Sequence, residues 1–252
     1  MIKYVKAWLR EMSLTIKAQK QFLREKIWRL LEEKKVASFP RPVYGRIPNF
    51  TGAETAAQRL LGLKVWENAE VVKSNPDSPQ AHVREHALRE GKTIIMATPR
   101  LLNGFLIVKP SNIESSRLRQ AATIKGAFKY GRKVSLREIP PIDLVITGCV
   151  AVDLRGKRLG KGGGYSELEY AILRELHVLN ENTPILTTIH DLQIVEEVPF
   201  EPHDYTVDYI ATPTRLIRID AERVRPRGIY WELLGNKENL DVIKELKSII
   251  NK

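Results

Sequence analysis

One cysteine, Cys149, stands in 252 residues. That excludes an intramolecular disulfide and suits a reducing compartment. The histidines fall at none of the zinc-ligand spacings, so a structural zinc site is not indicated either. Aromatic residues make up only 7% of the chain, and no interleaved aromatic and basic stretch marks a base-stacking sheet for RNA. No apolar run reaches the roughly 18 residues of a spanning helix. The opening Met1-Ile2-Lys3-Tyr4-Val5-Lys6 lacks the apolar core and small-residue cleavage site of a secretory signal. The expected location is therefore cytoplasmic, with no membrane partner. A serine nucleophile elbow, an internal repeat and a low-complexity tract are all missing.

What is present fits a globular α/β protein. Hydrophobic residues make up 43% and charged residues 28%, enough for one domain or at most two. The division expected is an extension over residues 1–12 and one α/β domain over 13–252. The net charge is +11, and twelve Lys and Arg against four Glu place +8 of it between Met1 and Arg46. A basic face suits nucleotide phosphates, nucleic acid or a polyglutamylated substrate. It also reads as a plain solvated surface.

Ser13 to Lys35 reads as a long helix, with Leu14, Ile16, Phe22, Leu23, Ile27, Leu30 and Leu31 at helical spacing. Lys20 and Arg24 lie four apart on it and share a face; by themselves they also read as a charged stripe facing water. Three prolines make Phe39 to Phe50 an extended or looped segment. Its Phe39, Val43, Tyr44, Ile47 and Phe50 are expected to be buried together near the site. Strand-like runs at 69–73, 93–97, 104–108, 143–147, 184–189 and 207–211 alternate with helical runs at 54–61, 80–90, 166–176 and 238–250. Ile229-Tyr230-Trp231 reads as an edge strand. The alternation predicts an α/β fold: a largely parallel, Rossmann-like sheet with helices on both faces, in a single domain with an N-terminal helix.

Arg158-Leu159-Gly160-Lys161-Gly162-Gly163-Gly164-Tyr165 sets four glycines and two cations between a strand and a helix. Glycine lets the backbone approach a ligand closely. Free N–H groups leading into a helix N-terminus favour an anion such as phosphate. The spacing fits neither the Walker A nor the dinucleotide fingerprint, and a ligand-free turn is the alternative. Thr98 with Arg100, the Arg158–Glu167 loop, and His203 and Asp204 with Asp208 lie at expected strand carboxyl ends, where parallel sheets bind ligands. Phosphoryl chemistry needs cations, and carboxylates to hold Mg²⁺. Glu167 and Asp204 are such carboxylates, or else a helix cap and a loop cap. His190 and Asp191 read as a hydrogen-bonded structural pair.

The Val-Ala-Val-Asp run, the glycine-rich run, Asp191-Leu192-Gln193 through His203-Asp204 and Val207-Asp208, and Lys20-Gln21-Phe22-Leu23-Arg24 together resemble the signature of the 5-formyltetrahydrofolate cyclo-ligase family. Phe39-Pro40-Arg41-Pro42, Arg46-Ile47-Pro48-Asn49-Phe50, Thr98-Pro99-Arg100-Leu101, Leu168-Glu169-Tyr170-Ala171 and Ala211-Thr212-Pro213-Thr214-Arg215 resemble its methenyltetrahydrofolate synthetase domain-containing branch. Some animal members of that branch carry a C-terminal RNA-recognition domain, whose motif these residues lack.

The resemblance implies a cyclisation of 5-formyltetrahydrofolate that depends on ATP and Mg²⁺. The formyl oxygen attacks the γ-phosphate, the folate N10 attacks the activated carbon, and phosphate leaves. It implies that Lys20, Arg24, Arg158 and Lys161 neutralise phosphate charge, Arg158 and Lys161 taking the catalytic role. Leu159, Gly160, Gly162, Gly163, Gly164 and Tyr165 would complete the nucleotide cradle, and Glu167 and Asp204 would ligate Mg²⁺. Asp77, Arg100 and Tyr165 are the substrate candidates. Two positions depart from the family pattern. Its Tyr-Tyr-Asp stands here as Tyr165-Ser166-Glu167, which lengthens the carboxylate's reach and removes an aromatic wall. Where cyclo-ligases place a folate-contacting Glu, the chain reads Asn75-Pro76-Asp77-Ser78-Pro79, and only Asp77 can substitute. The alternative function is a non-catalytic protein that keeps the nucleotide site and binds folate or RNA. Expected partners are ATP, a reduced folate and, through the basic N-terminal segment, nucleic acid. The expected assembly is a monomer or homodimer.

Overall fold

The computed structural model describes residues 15–250. The expected extension 1–12, and Ser13 and Leu14 of the first helix, lie outside them. The helices are α1 (Ile16–Glu33), α2 (Ala53–Leu60), α3 (Lys64–Glu67), α4 (Ala81–Arg89), α5 (Leu118–Ala121), α6 (Ile124–Tyr130), α7 (Tyr165–Glu175) and α8 (Asp241–Ile250). The strands are β1 (Val71–Ser74), β2 (Thr93–Ala97), β3 (Phe105–Val108), β4 (Arg132–Val134), β5 (Leu144–Thr147), β6 (Ala151–Asp153), β7 (Arg158–Leu159), β8 (Ile185–Thr188), β9 (Ile194–Val195), β10 (Tyr209–Ala211) and β11 (Leu216–Arg218).

Eight strands form the main sheet in the order β11-β10-β8-β5-β1-β2-β3-β4. The five from β10 to β2 run parallel; β3, β4 and β11 close the edges antiparallel. The parallel strands β5 and β8 and the neighbouring β3 are buried along their whole length, because helices cover both faces of the sheet. On one face lie Leu168, Ile172 and Leu173 of α7 with Val242, Ile243 and Leu246 of α8. On the other lie Leu60 of α2, Trp66 of α3 and Val83, Ala87 and Leu88 of α4. Among the described residues no helix is long and apolar enough to cross a membrane.

A second sheet, β7-β6-β9, was not expected from the sequence, since its strands are two or three residues long. At its hairpin turn Gly156 has φ +80, and a Cβ there would meet the Val207 carbonyl oxygen at 2.4 Å. Helix α1 docks on this small sheet. Its buried stripe is Lys20, Arg24, Ile27, Trp28 and Leu31; of the apolar set read from spacing Ile27 and Leu31 belong to it and Leu23 and Leu30 pack beside it, while Ile16 and Phe22 are exposed. The apolar half of the stripe packs on Val43, Ile47, Val150, Ala151 and Leu159. That carries the cationic half over the chain that follows β7. Of the 39–50 loop, Val43, Ile47 and Phe50 are buried, whereas Phe39 is 85% exposed and Tyr44 half-exposed. Tyr44 instead sets its ring edge-on to Trp28. The expected edge strand at 229–231 is a loop leading into a short turn at Trp231–Leu233, because the Ile229 N–H donates to Glu175 of α7 rather than to a strand (2.9 Å).

The chain leaves β1 through α4 toward β2, and leaves β5 through α7 toward β8 in the opposite direction. The crevice outside the carboxyl ends of β1 and β5 is thus the switch point where doubly wound sheets bind ligands. Asn75 follows β1 there and Gly148 follows β5, and the Gly148 N–H donates to Asn75 Oδ1 (3.3 Å). Arg84 of α4 holds this turn in shape. It is fully buried and donates to the carbonyls of Asn75 (2.5 Å), Asp77 (3.1 Å) and Ala122 (2.6 Å). Burial pulls its pKa down to about 10. Arg84→Met removes these charge-assisted bonds and leaves the Ala122 carbonyl without a donor, while Ser74 Oγ and the Gln80 N–H still reach those of Asn75 and Asp77, at a cost of about 3 kcal/mol. Urea unfolding should show that loss; an unchanged midpoint would mean the turn is held by something else.

Candidate functional site

The site is built on the segment from Arg158 to Glu167. Gly162 (φ +102) and Gly164 (φ +64) lie in the left-handed region that glycine adopts without strain, and Gly164 caps α7. The hydrogen bonds among the described residues include none donated by a backbone N–H from Gly160 to Gly164. Unspent donors at the start of an eleven-residue helix form a cradle for an anion.

Arg158 itself is not in the open loop. It sits on β7, 2% exposed, and donates to Glu167 Oε1 (2.5 Å) and to the Gly148 carbonyl (3.1 Å). Its guanidinium lies 4.7 Å from the ring centroid of Tyr205. Burial works against its charge, but Tyr205 and Glu167 more than offset that and hold it protonated more firmly than usual. Burial likewise opposes ionisation of Glu167, yet Arg158, a backbone hydrogen bond and Lys20 bring its carboxyl below the ordinary value. Leu159 is buried in the α1 core and supports the loop from beneath. Ser166 does more than remove a ring: its hydroxyl bonds the Tyr205 hydroxyl (2.7 Å), which also bonds Thr147 (2.8 Å).

From α1, the Arg24 Nε donates to the Gly160 carbonyl at 2.7 Å, and burial pulls its pKa down. Lys20 reaches Asp204 at 2.5 Å and Glu201 at 2.8 Å. The Lys20 bond, against a smaller burial effect, keeps the Glu201 carboxyl below its usual value. Both cations are therefore spent on the site and not on solvent, which removes the charged-stripe reading. The bonded carboxylates also mean that losing Lys20 costs stability.

Two cavities share the loop as a wall. The first, about 630 Å³, is lined by the charged Lys20, Arg24, Lys161 and Asp204 and by the apolar Ala171, Ile229 and Leu234. The second, about 610 Å³, lies at the β1–β5 crevice. All three substrate candidates, Asp77, Arg100 and Tyr165, line it. Lys161 lines both and donates to Asp77 Oδ1 at 2.9 Å. Of the other expected groups, Asp208 lies apart, at the amino end of β10. There it accepts the Ile185 N–H and pairs with Arg223 and Arg225. His190 and Asp191 do not bond each other: His190 Nδ1 accepts the Leu192 N–H, and Asp191 accepts from Thr212 and Thr214.

A sequence model of the 5-formyltetrahydrofolate cyclo-ligase family matches residues 16–213. The chain belongs to this family. A methenyltetrahydrofolate synthase domain-containing protein of Bos taurus is 43% identical over 225 residues, covering 86% of this chain and 59% of the relative. The chain thus spans less than two thirds of that relative's length. A 5-formyltetrahydrofolate cyclo-ligase of Mycolicibacterium smegmatis is 31% identical over 104 residues, 36% of this chain and 50% of that one. The solved structure of Aquifex aeolicus 5,10-methenyltetrahydrofolate synthetase has the same fold, with a TM-score of 0.51 and 20% identity over 81% of this chain and 94% of that one.

Sequence reasoning did not single out four charged side chains at these two cavities. Glu201 and Lys237 complete the first cavity, the latter 5.2 Å over the Tyr165 ring. Lys73 and Glu169 form a buried ion pair (2.7 Å), and Glu169 lines the second cavity. Burial raises the Glu169 carboxyl pKa in spite of Lys73. Glu201 stands two residues before His203-Asp204 and Glu169 within the quoted Leu168-Glu169-Tyr170-Ala171 run, whereas Lys73 and Lys237 had no signal nearby.

The Glu167 shift has a sign. Its folded pKa is below the reference 4.5, so its pairing with Arg158 stabilises the protein above that pH and is lost as pH falls through the folded value. In melts from pH 7 to 3, Glu167→Gln is expected to lose stability less steeply below about pH 4.5 than the parent. Parallel curves would show that Glu167 does not carry the dependence.

Proposed function

We propose that the chain binds ATP in the first cavity and 5-formyltetrahydrofolate in the second, and closes the folate to 5,10-methenyltetrahydrofolate. The observation that carries the proposal is the glycine loop: its free N–H groups stand in a wall common to both cavities. A phosphate at this loop sits beside whatever occupies the second cavity. Such placement supplies most of what phosphoryl transfer needs from a protein.

In this reading the base packs on the apolar side chains of the first cavity and the phosphates meet the cationic ones. Lys20, Arg24 and Lys161 offset phosphate charge, while Arg158 fixes the loop and Glu167. The formyl oxygen attacks the γ-phosphorus as the bond to the ADP oxygen breaks. N10 then attacks the formyl carbon, loses its proton, and phosphate departs with the former formyl oxygen. Glu167, Glu201 and Asp204 line the first cavity, and carboxylates are the hard donors that Mg²⁺ takes. Among the described residues no three acidic or histidine side chains are grouped to hold a metal by themselves. That suits an ion that keeps water and shares phosphate oxygens. When bound, Mg²⁺ would neutralise developing charge on the phosphates.

The assay supplies ATP, Mg²⁺ and 5-formyltetrahydrofolate and follows methenyltetrahydrofolate absorbance. Turnover is expected, with Arg24→Ala raising the KM for ATP about tenfold or more, the loss of one charge-assisted contact. ATP binding without turnover would favour the non-catalytic reading; neither binding nor turnover would overturn both.

A further inference from the structure

The second cavity ends on a carboxylate that the reaction as written does not use. Glu169 is 5% exposed and lines the cavity from α7. Its Oε2 accepts from Lys73 Nζ (2.7 Å) and Asn75 Nδ2 (2.9 Å). Its Oε1 has no hydrogen-bond donor among the described residues. This oxygen is not sealed from solvent, and the cavity that Glu169 lines leaves room there for a ligand's donor in place of water. The other carboxylates lining this cavity, Asp77 and Glu167, are already tied to Lys161 and Arg158.

We infer that Glu169 determines specificity in the second cavity by accepting hydrogen bonds at Oε1 from the N–H and NH₂ edge of a neutral, flat heterocycle. Neutrality follows from Lys73, which is 1% exposed and already balances the carboxylate; a cationic ligand would add a charge that this pair does not compensate. Flatness follows from the Tyr165 ring, which lines the same space. Exposed Arg46 and Arg100 at the cavity suit an acidic tail on the same molecule. The aminopyrimidinone edge of a reduced folate has this chemistry, and to that extent the inference rests on the proposed function. Lys73 and Asn75 are positioning residues: they fix one oxygen and so aim the other.

The test compares two probes that differ at one group, 2-amino-4-oxopteridine and 2,4-dioxopteridine, by calorimetry on the whole chain. The parent is expected to bind the amino form at least about tenfold tighter, since a site built to accept a donor rejects the analogue lacking it. Glu169→Gln should bring the ratio near one while nucleotide binding is unchanged. Because that variant strands Lys73, the double variant Lys73→Met, Glu169→Gln removes both charges together and should lose the same discrimination with nucleotide binding kept. An equal ratio in the parent, a ratio kept in the variants, or a parent that binds neither probe overturns the inference. Discrimination without turnover of 5-formyltetrahydrofolate would leave it standing and remove the proposed reaction.

Discussion

Arg158 joins the parts of the site that would otherwise move independently. Its guanidinium reaches Glu167 at the start of α7 and the Gly148 carbonyl after β5, and covers the ring of Tyr205. A fully buried cation is tolerated only when such partners surround it. The same partners set the glycine loop between a fixed strand end and a fixed helix start. With both ends held, Gly162 and Gly164 turn the backbone so that its N–H groups stay unspent. Helix α1 then fastens the outside of the loop through Arg24 and Gly160. The cations of the site are thus part of its construction as well as of its charge.

That construction gives one wall to two cavities of similar size. The first is lined by charged side chains of α1 and the loop together with apolar ones of α7 and residues 229–234. The second opens at the β1–β5 crevice, with the Lys73–Glu169 pair at its base. Lys161 touches both and is tied to Asp77 across them. A phosphate that draws Lys161 away would free Asp77, so occupancy of the first cavity bears on the electrostatics of the second.

Much of the fold was legible because β2, β3 and β5 are apolar but for a threonine at one end of β2 and of β5, β8 opens on Ile185-Leu186, and helical runs stand between most of them. The small sheet was not, since strands such as Arg158–Leu159 exist only through partners far along the chain. The face of α1 was misread for a related reason. Spacing pointed to Ile16 and Phe22, but the neighbours that decide burial are a glycine loop and two acidic residues some 180 positions away. The loop and Asp204 stood out by their residue types, the resemblance tied Lys20 and Arg24 to them, and the structure brings all of them together. The Lys73–Glu169 pair was not legible: Glu169 stood in a recognised stretch, but nothing local ties it to a strand lysine 96 positions away until the fold pairs them.

The central claim is that the loop at 160–164 serves both cavities. Hydrogen exchange at its amides tests this directly, because those N–H groups lack acceptors in the unliganded chain. A non-hydrolysable ATP analogue with Mg²⁺ should slow exchange at the loop and at the N-terminal half of α1. 5-Formyltetrahydrofolate should slow it at the loop and around residues 75–77. Loop amides that exchange equally fast with and without both ligands would contradict the account.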